Sequence, residues 1–156
     1  MKEKIILFTR VPKEGTTKTR LYDFMSPAEA VNIQKKLLKK NYNLLAETNR
    51  ELLVFHDGNS SDDKGMSELI SCDRLYYQKG GTLGDKMYNA MSEVILDSKV
   101  ILLGSDIFNL EKDMIETAFE KLETHDVVIN PSEDGGYFLI GMKKAIKEVF
   151  DLPSYG

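Results

Sequence analysis

The chain has 156 residues, of which 42% are hydrophobic and 29% charged, and its formal net charge is −4. This length suits one domain with a normal core, and the balance belongs to a globular chain rather than a disordered or membrane-spanning one. The negative charge excludes a general nucleic-acid binder, whose footprint is a basic excess, but leaves room for a local basic pocket that takes one small phosphorylated ligand.

Ile5 to Thr9 (IILFT) is a short apolar run that reads as a buried strand and is too short for a signal-peptide core. A loop centred on Gly15 follows. Ser26-Pro-Ala-Glu29 then predicts a capping box with proline at the first helical position. Ala30, Val31, Ile33, Leu37, Leu38, Leu44 and Leu45 recur behind it at helical spacing, with Lys35, Lys36, Lys39 and Lys40 as a solvated face. Leu52 to Phe55 is a second strand, ending at His56-Asp-Gly58, and Asn59 to Lys64 reads as a polar loop.

Arg74 to Gln78 is a third strand candidate, stopping at Gly80-Gly81, and Leu83 to Leu96 has a helical apolar face. Val100 to Leu103 is the clearest buried strand. A helix over Glu111 to Glu123, a strand at Val127 to Ile129 and a last apolar segment from Tyr137 to Ile140 complete the series. Strands alternating with helices predict a three-layer α/β/α sandwich with a mostly parallel sheet, in one domain. The single cysteine, Cys72, forms neither an internal disulfide nor a metal site by itself. No stretch reaches membrane-spanning length. A cytoplasmic protein with no membrane partner is expected.

Three polar clusters follow strand ends, and in open α/β sheets ligands bind beyond those ends. The loop around Gly15 fits neither Walker A nor the three-glycine dinucleotide fingerprint. Even so, Arg10, Lys13, Lys18 and Arg20 place four cations within eleven residues, with Thr19 between the last two. Glycine admits an anion to the backbone, and arginine matches phosphate oxygens two at a time. The same residues also describe a solvated basic turn. Asp106, at the end of Gly104-Ser-Asp, is suited to a Mg²⁺ or Mn²⁺ ion shared with substrate phosphates, or to capping the next helix. Glu133-Asp-Gly-Gly136 is either a hairpin turn or a place where Gly135 and Gly136 let a ligand approach beside Asp134. His56 ends a strand near these clusters and is a candidate pocket-lining residue. His125 precedes a strand at the opposite edge, and neither histidine has the partners of a nucleophile triad.

Four stretches in order, RVPKEGTTKTRL (Arg10 to Leu21), GGTLGDKM (Gly80 to Met87), GSDIFNL (Gly104 to Leu110) and PSEDGGYFLIG (Pro131 to Gly141), carry a resemblance. The chain resembles the bacterial glycosyltransferase-A-like proteins known as radical-SAM/selenodomain-associated transferases, a domain of unknown function. That family is related to the guanylyltransferases of molybdenum-cofactor and coenzyme F420 biosynthesis. The resemblance implies a nucleotide-diphospho-sugar transferase-like (GT-A) fold over 1–156. It implies that Arg10, Gly15, Lys18, Thr19 and Arg20 hold nucleotide phosphates and that Gly81, Leu83 and Gly84 lie near the nucleotide. It makes Asp106 a metal ligand and places Asp134, Gly135 and Gly136 on the acceptor side, with Asp134 as a second metal contact.

The chain departs from that family at Ile107-Phe108, where relatives carry Cys-Pro, and it stops at Gly156, where relatives continue with a further helical segment. A second subunit completing the acceptor side, in a homo-oligomer, is one expectation from the second departure. The function implied is a metal-dependent glycosyl or nucleotidyl transfer from a nucleoside triphosphate or nucleotide-sugar to a small acceptor. Lys18, Arg20 and Asp106 would be its catalytic residues and Mg²⁺ or Mn²⁺ its cofactor. A nucleotide-binding regulatory or assembly module without catalysis is the alternative.

Overall fold

The computed structural model of the protein describes residues 1–15, 22–72, 74–132 and 136–151. Its first strand, β1 (Lys2–Thr9), buries Ile5 and Leu7 on one face and Ile6 and Phe8 on the other. A strand buried on both faces needs helices on both, and the rest of the chain supplies them.

The elements after β1 are α1 (Pro27–Ala46), β2 (Glu51–His56), a 3₁₀ turn (Ser60–Asp62), α2 (Asp63–Ile70), β3 (Leu75–Tyr77) and α3 (Leu83–Val94). They continue with β4 (Ser98–Gly104), α4 (Lys112–Leu122), β5 (Val127–Pro131), β6 (Tyr137–Met142) and α5 (Lys147–Phe150). Among the described residues the sheet has six strands in the order β3-β2-β1-β4-β6-β5. The first four run parallel, and β6 is antiparallel to both β4 and β5. One apolar layer joins Leu38, Met66 and Phe119 of α1, α2 and α4 to Leu7, Val54 and Leu103. The other joins Met91 of α3 and Phe150 of α5 to Ile6, Phe55 and Leu102. The expected three-layer α/β/α sandwich with a mostly parallel sheet is present.

Ser26 caps α1 as its sequence signature predicts. The Ser26 hydroxyl accepts from Glu29 N–H and the Glu29 carboxylate accepts from Ser26 N–H, at 3.2 and 3.1 Å. Lys35, Lys36, Lys39 and Lys40 are exposed, and Cys72 is buried. The expectation of a plain loop over Asn59 to Lys64 is corrected. Asn59 accepts from Ser61 N–H and opens the 3₁₀ turn that runs straight into α2. With only Met66 and Ile70 buried, α2 shows one helical spacing rather than a stripe, which is why the sequence pattern hides it.

Candidate functional site

The parallel strands deliver their carboxyl ends to one side of the molecule: Thr9, His56, Tyr77 and Gly104. Arg10 and Gly15 leave from β1, Asp106 from β4, and the start of α3 from β3. Leu103 of β4 lies opposite Leu139 of β6, and Pro131 opposite Tyr137, so the β5–β6 connection reaches the same side. There Ser132 N–H donates to the Gly136 carbonyl at 3.0 Å, which makes this connection a hairpin loop. β5 and β6 on either side pair as an antiparallel hairpin, and of Asp134, Gly135 and Gly136 only Gly136 is among the described residues. His125 lies at the opposite end, as expected.

Asp106 is exposed and lies five residues before Glu111, the N-cap position of α4. It is thus not a cap for that helix. Its turn is held from beneath by a buried polar seam. The Ser105 hydroxyl donates to Thr9 Oγ1 at 2.9 Å, and Gln34 Nε2 donates to the Ser105 hydroxyl at 3.4 Å. Asn41 Nδ2 donates to the carbonyls of Ser105 and Ile107, and Lys40 Nζ to that of Phe108. Asp106 Oδ1 lies only 3.2 Å from where a Cβ on Gly104 would stand, so the absent side chain leaves room for the carboxylate.

The entry of the Gly15 loop is fixed from the β2 end. Val11 N–H donates to Asp57 Oδ1 at 2.7 Å, and Lys13 pairs with Asp62 at 3.3 Å. Gly15 has φ +87°, a left-handed conformation that favours glycine, and its N–H donates to the Tyr22 hydroxyl at 2.8 Å. A Cβ on Gly58 would stand 2.8 Å from Val11 Cγ2 and collide with the Asp62 carboxylate. The N–H of Asn59, then Lys13, hold the Asp62 carboxyl below the usual range.

His56, which the sequence offered as no more than a candidate for lining a pocket, is fully buried. Its Nδ1 accepts from Gly58 N–H at 3.1 Å, so Nε2 carries the proton and donates to Asp63 Oδ1 at 2.9 Å. The Tyr77 hydroxyl donates to the other Asp63 oxygen at 2.5 Å. The Tyr77 hydroxyl and His56 together hold the Asp63 carboxyl low, and the carboxylate in turn pushes the Tyr77 hydroxyl up. With all its ring nitrogens engaged, the imidazole braces the β2–α2 connection.

At β3 the Gln78 amide donates to the carbonyls of Thr9 and Phe55, both at 3.1 Å, and ties three strand ends together. Gly80 has φ +144°, and a Cβ there would stand 2.9 Å from Lys86 N. Thr82 caps α3 by accepting from Asp85 N–H at 3.0 Å, leaving Gly81 and Leu83 exposed and Gly84 buried in the first turn. A helix start presents amides without intrahelical acceptors and favours anions. A cleft of about 500 Å³ opens beside the Gly15 loop, against Val11, Lys13, Lys35, Met66 and Leu69. Its described lining includes neither Asp106 nor the start of α3.

Arg10, Gly15, Gly81, Leu83, Gly84, Asp106 and Gly136 are therefore on one rim, although far apart in sequence. Lys18, Thr19, Arg20, Asp134 and Gly135 lie outside the described residues. Among the described residues no three His, Cys, Asp or Glu side chains gather as a metal cluster, and no helix is long and apolar enough to cross a membrane. The exposed Asp106 carboxylate is nevertheless a hard oxygen donor of the kind that suits Mg²⁺ or Mn²⁺ shared with substrate phosphate oxygens. Sequence reasoning missed Gln34, Asn41, Asp57 and Gln78, which support the rim rather than line it.

The fold is that of nucleotide-diphospho-sugar transferase-like proteins. The structure superposes with a TM-score of 0.90 on a "putative nucleotide-diphospho-sugar transferase" from Desulfovibrio desulfuricans G20, at 28% identity over 100% of this chain and 71% of that one. The 4-diphosphocytidyl-2C-methyl-D-erythritol synthase of Anaerococcus prevotii shares the fold at a TM-score of 0.56 and 9% identity, over 96% of this chain and 74% of that one. A cytidylyltransferase of Leptospira borgpetersenii shares it at 0.56 and 13%, over 97% and 63%. Residues 38–156 match the family "Uncharacterized protein conserved in bacteria (DUF2064)", and the chain belongs to that family. No curated protein matches the chain.

Proposed function

We propose that the protein is a metal-dependent transferase that takes a nucleoside triphosphate or nucleotide-sugar and passes a nucleotidyl or glycosyl group to a small acceptor. The observation that carries this reading is the convergence of the Gly15 loop, the start of α3 and Asp106 on the carboxyl rim of the sheet, with Asp106 held by a buried polar seam. The likeness to a nucleotide-diphospho-sugar transferase supports it. On the four sequence motifs we further read the chain as a radical-SAM/selenodomain-associated transferase.

In this reading Arg10, Gly15, Lys18, Thr19 and Arg20 receive the phosphates, and Gly81, Leu83 and Gly84 border the nucleotide. Lys18 and Arg20 neutralise phosphate charge, so that an acceptor oxygen approaches without repulsion. Asp106, with Asp134 as a second contact, would hold Mg²⁺ or Mn²⁺, which when bound spreads charge over the phosphate oxygens. Asp134, Gly135 and Gly136 face the acceptor. Attack at the α-phosphorus releases pyrophosphate; attack at an anomeric carbon releases a nucleoside diphosphate. No protein nucleophile is required for either.

The reading is tested by measuring binding and turnover of a nucleotide and nucleotide-sugar panel with Mg²⁺ or Mn²⁺. Binding with release of pyrophosphate or nucleoside diphosphate is expected. Binding without turnover across a range of acceptors would instead mark a nucleotide-binding module, and no binding at all would sink both readings.

A further inference from the structure

Asn41 lies on α1, two turns beyond Gln34, and is completely buried. Its Nδ2 donates to the Ser105 carbonyl at 2.8 Å and to the Ile107 carbonyl at 2.9 Å. These carbonyls flank Asp106 on either side, so one amide group grips both ends of its main chain. Two carbonyl partners also fix which way the amide faces, since only the nitrogen can donate. The Asn41 oxygen points away and is buried without a partner.

That orphaned oxygen is unfavourable in a core, and helix stability gives no reason to retain it. The neighbouring positions of the same stripe, Leu37, Leu38 and Leu45, are leucines. Asn41 is therefore explained by what its nitrogen holds. Gln34 reaches the Ser105 hydroxyl from the same helix, and Lys40 reaches the Phe108 carbonyl. The whole Ser105 to Phe108 turn is thus referenced to α1, the helix that the Gly15 loop leads into.

We propose that Asn41 is a positioning residue that sets the Asp106 carboxylate for a divalent cation shared with the bound nucleotide. The inference rests on the reading of Asp106 as a metal ligand. Residues that orient a ligand from behind typically contribute 10–100-fold in metal affinity. They need not touch the nucleotide.

The test uses whichever of ATP, CTP, GTP and UTP raises the wild-type melting temperature most. Its affinity is measured in Mn²⁺ and in EDTA, for the wild type, Asp106→Asn and Asn41→Leu. Asn41→Leu is expected to lose roughly tenfold or more of the Mn²⁺-supported affinity while its affinity in EDTA stays at the wild-type value. A purely structural role would lower both together, and that result would overturn the proposal. So would full Mn²⁺ dependence in Asn41→Leu when Asp106→Asn has lost it, although the metal-ligand reading would then stand. Wild-type affinity that ignores Mn²⁺ would remove the metal-ligand reading and this proposal with it. If Asn41→Leu does not fold, Asn41→Ser keeps one donor; a selective loss in Mn²⁺ supports the proposal, and unchanged Mn²⁺ dependence overturns it.

Discussion

Gly80 shows how one residue sets the rim. Its φ of +144° is barred to most side chains, and a Cβ would press on Asp85 and on the Lys86 amide at 2.9 Å. Both neighbours belong to the first turn of α3 and have little freedom to yield. Gly80→Ala is therefore expected to destabilise the fold by about 1–3 kcal/mol, read from the urea midpoint. A midpoint equal to the wild type would show that the turn relaxes. Residues of this kind, such as Gly15 and Asp106, stood out in the sequence because glycine and carboxylate after an apolar strand are unusual there. Gln34 and Asn41 did not, since polar helix residues are read as exposed by default. A signal existed all the same: Gln34, Leu38, Asn41 and Leu45 share one helical stripe, and a polar residue in an apolar stripe is a buried partner looking for a bond.

Among the elements, α1 carries the most consequence, because it follows the Gly15 loop and braces the Asp106 turn. Its start depends on the reciprocal bonds between Ser26 and Glu29. Ser26→Ala is expected to cost about 1 kcal/mol of stability, measured by chemical denaturation, because the Glu29 amide loses its acceptor. No change would mean that water caps the helix equally well. Most elements were legible because their apolar periods are long: β1, β4, α1, α3 and α4 each show several matched positions. α2 was not, as its eight residues bury only Met66 and Ile70. The direction of β6 was left open, with a hairpin before Tyr137 as one of two readings. An apolar strand reads alike either way, and only the short connection from Pro131 to Tyr137 makes it antiparallel.

Across the whole molecule the two ends of the sheet divide the labour. The amino end is tied by charge: Arg50 grips Glu116 with two bonds of 2.7 and 2.8 Å, bonds Glu3 at 2.7 Å and stacks 4.4 Å over Phe119. Buried Lys99 pairs with Glu3 at 3.2 Å and with Glu123. Arg50 holds the Glu116 carboxyl below the usual range, and Lys99 does the same to Glu123. A carboxyl whose pKa is lowered by folding stabilises the fold above its unfolded value. That contribution fades as pH falls through the ordinary carboxylate range near 4 and is gone below the depressed values. The melting temperature is therefore expected to fall with acid over that window, and Arg50→Gln should flatten the decline. Identical acid profiles for variant and wild type would show that the network contributes nothing to the acid limb.

The carboxyl end carries the proposed chemistry, and Asp106 is its centre. Calorimetric titration of the tightest-binding ribonucleoside triphosphate, with and without Mg²⁺, into the wild type and Asp106→Asn measures this most directly. Mg²⁺ is expected to strengthen binding to the wild type and to leave binding to Asp106→Asn unchanged, with both proteins folded. Equal strengthening in the two proteins would contradict a metal-holding role for Asp106.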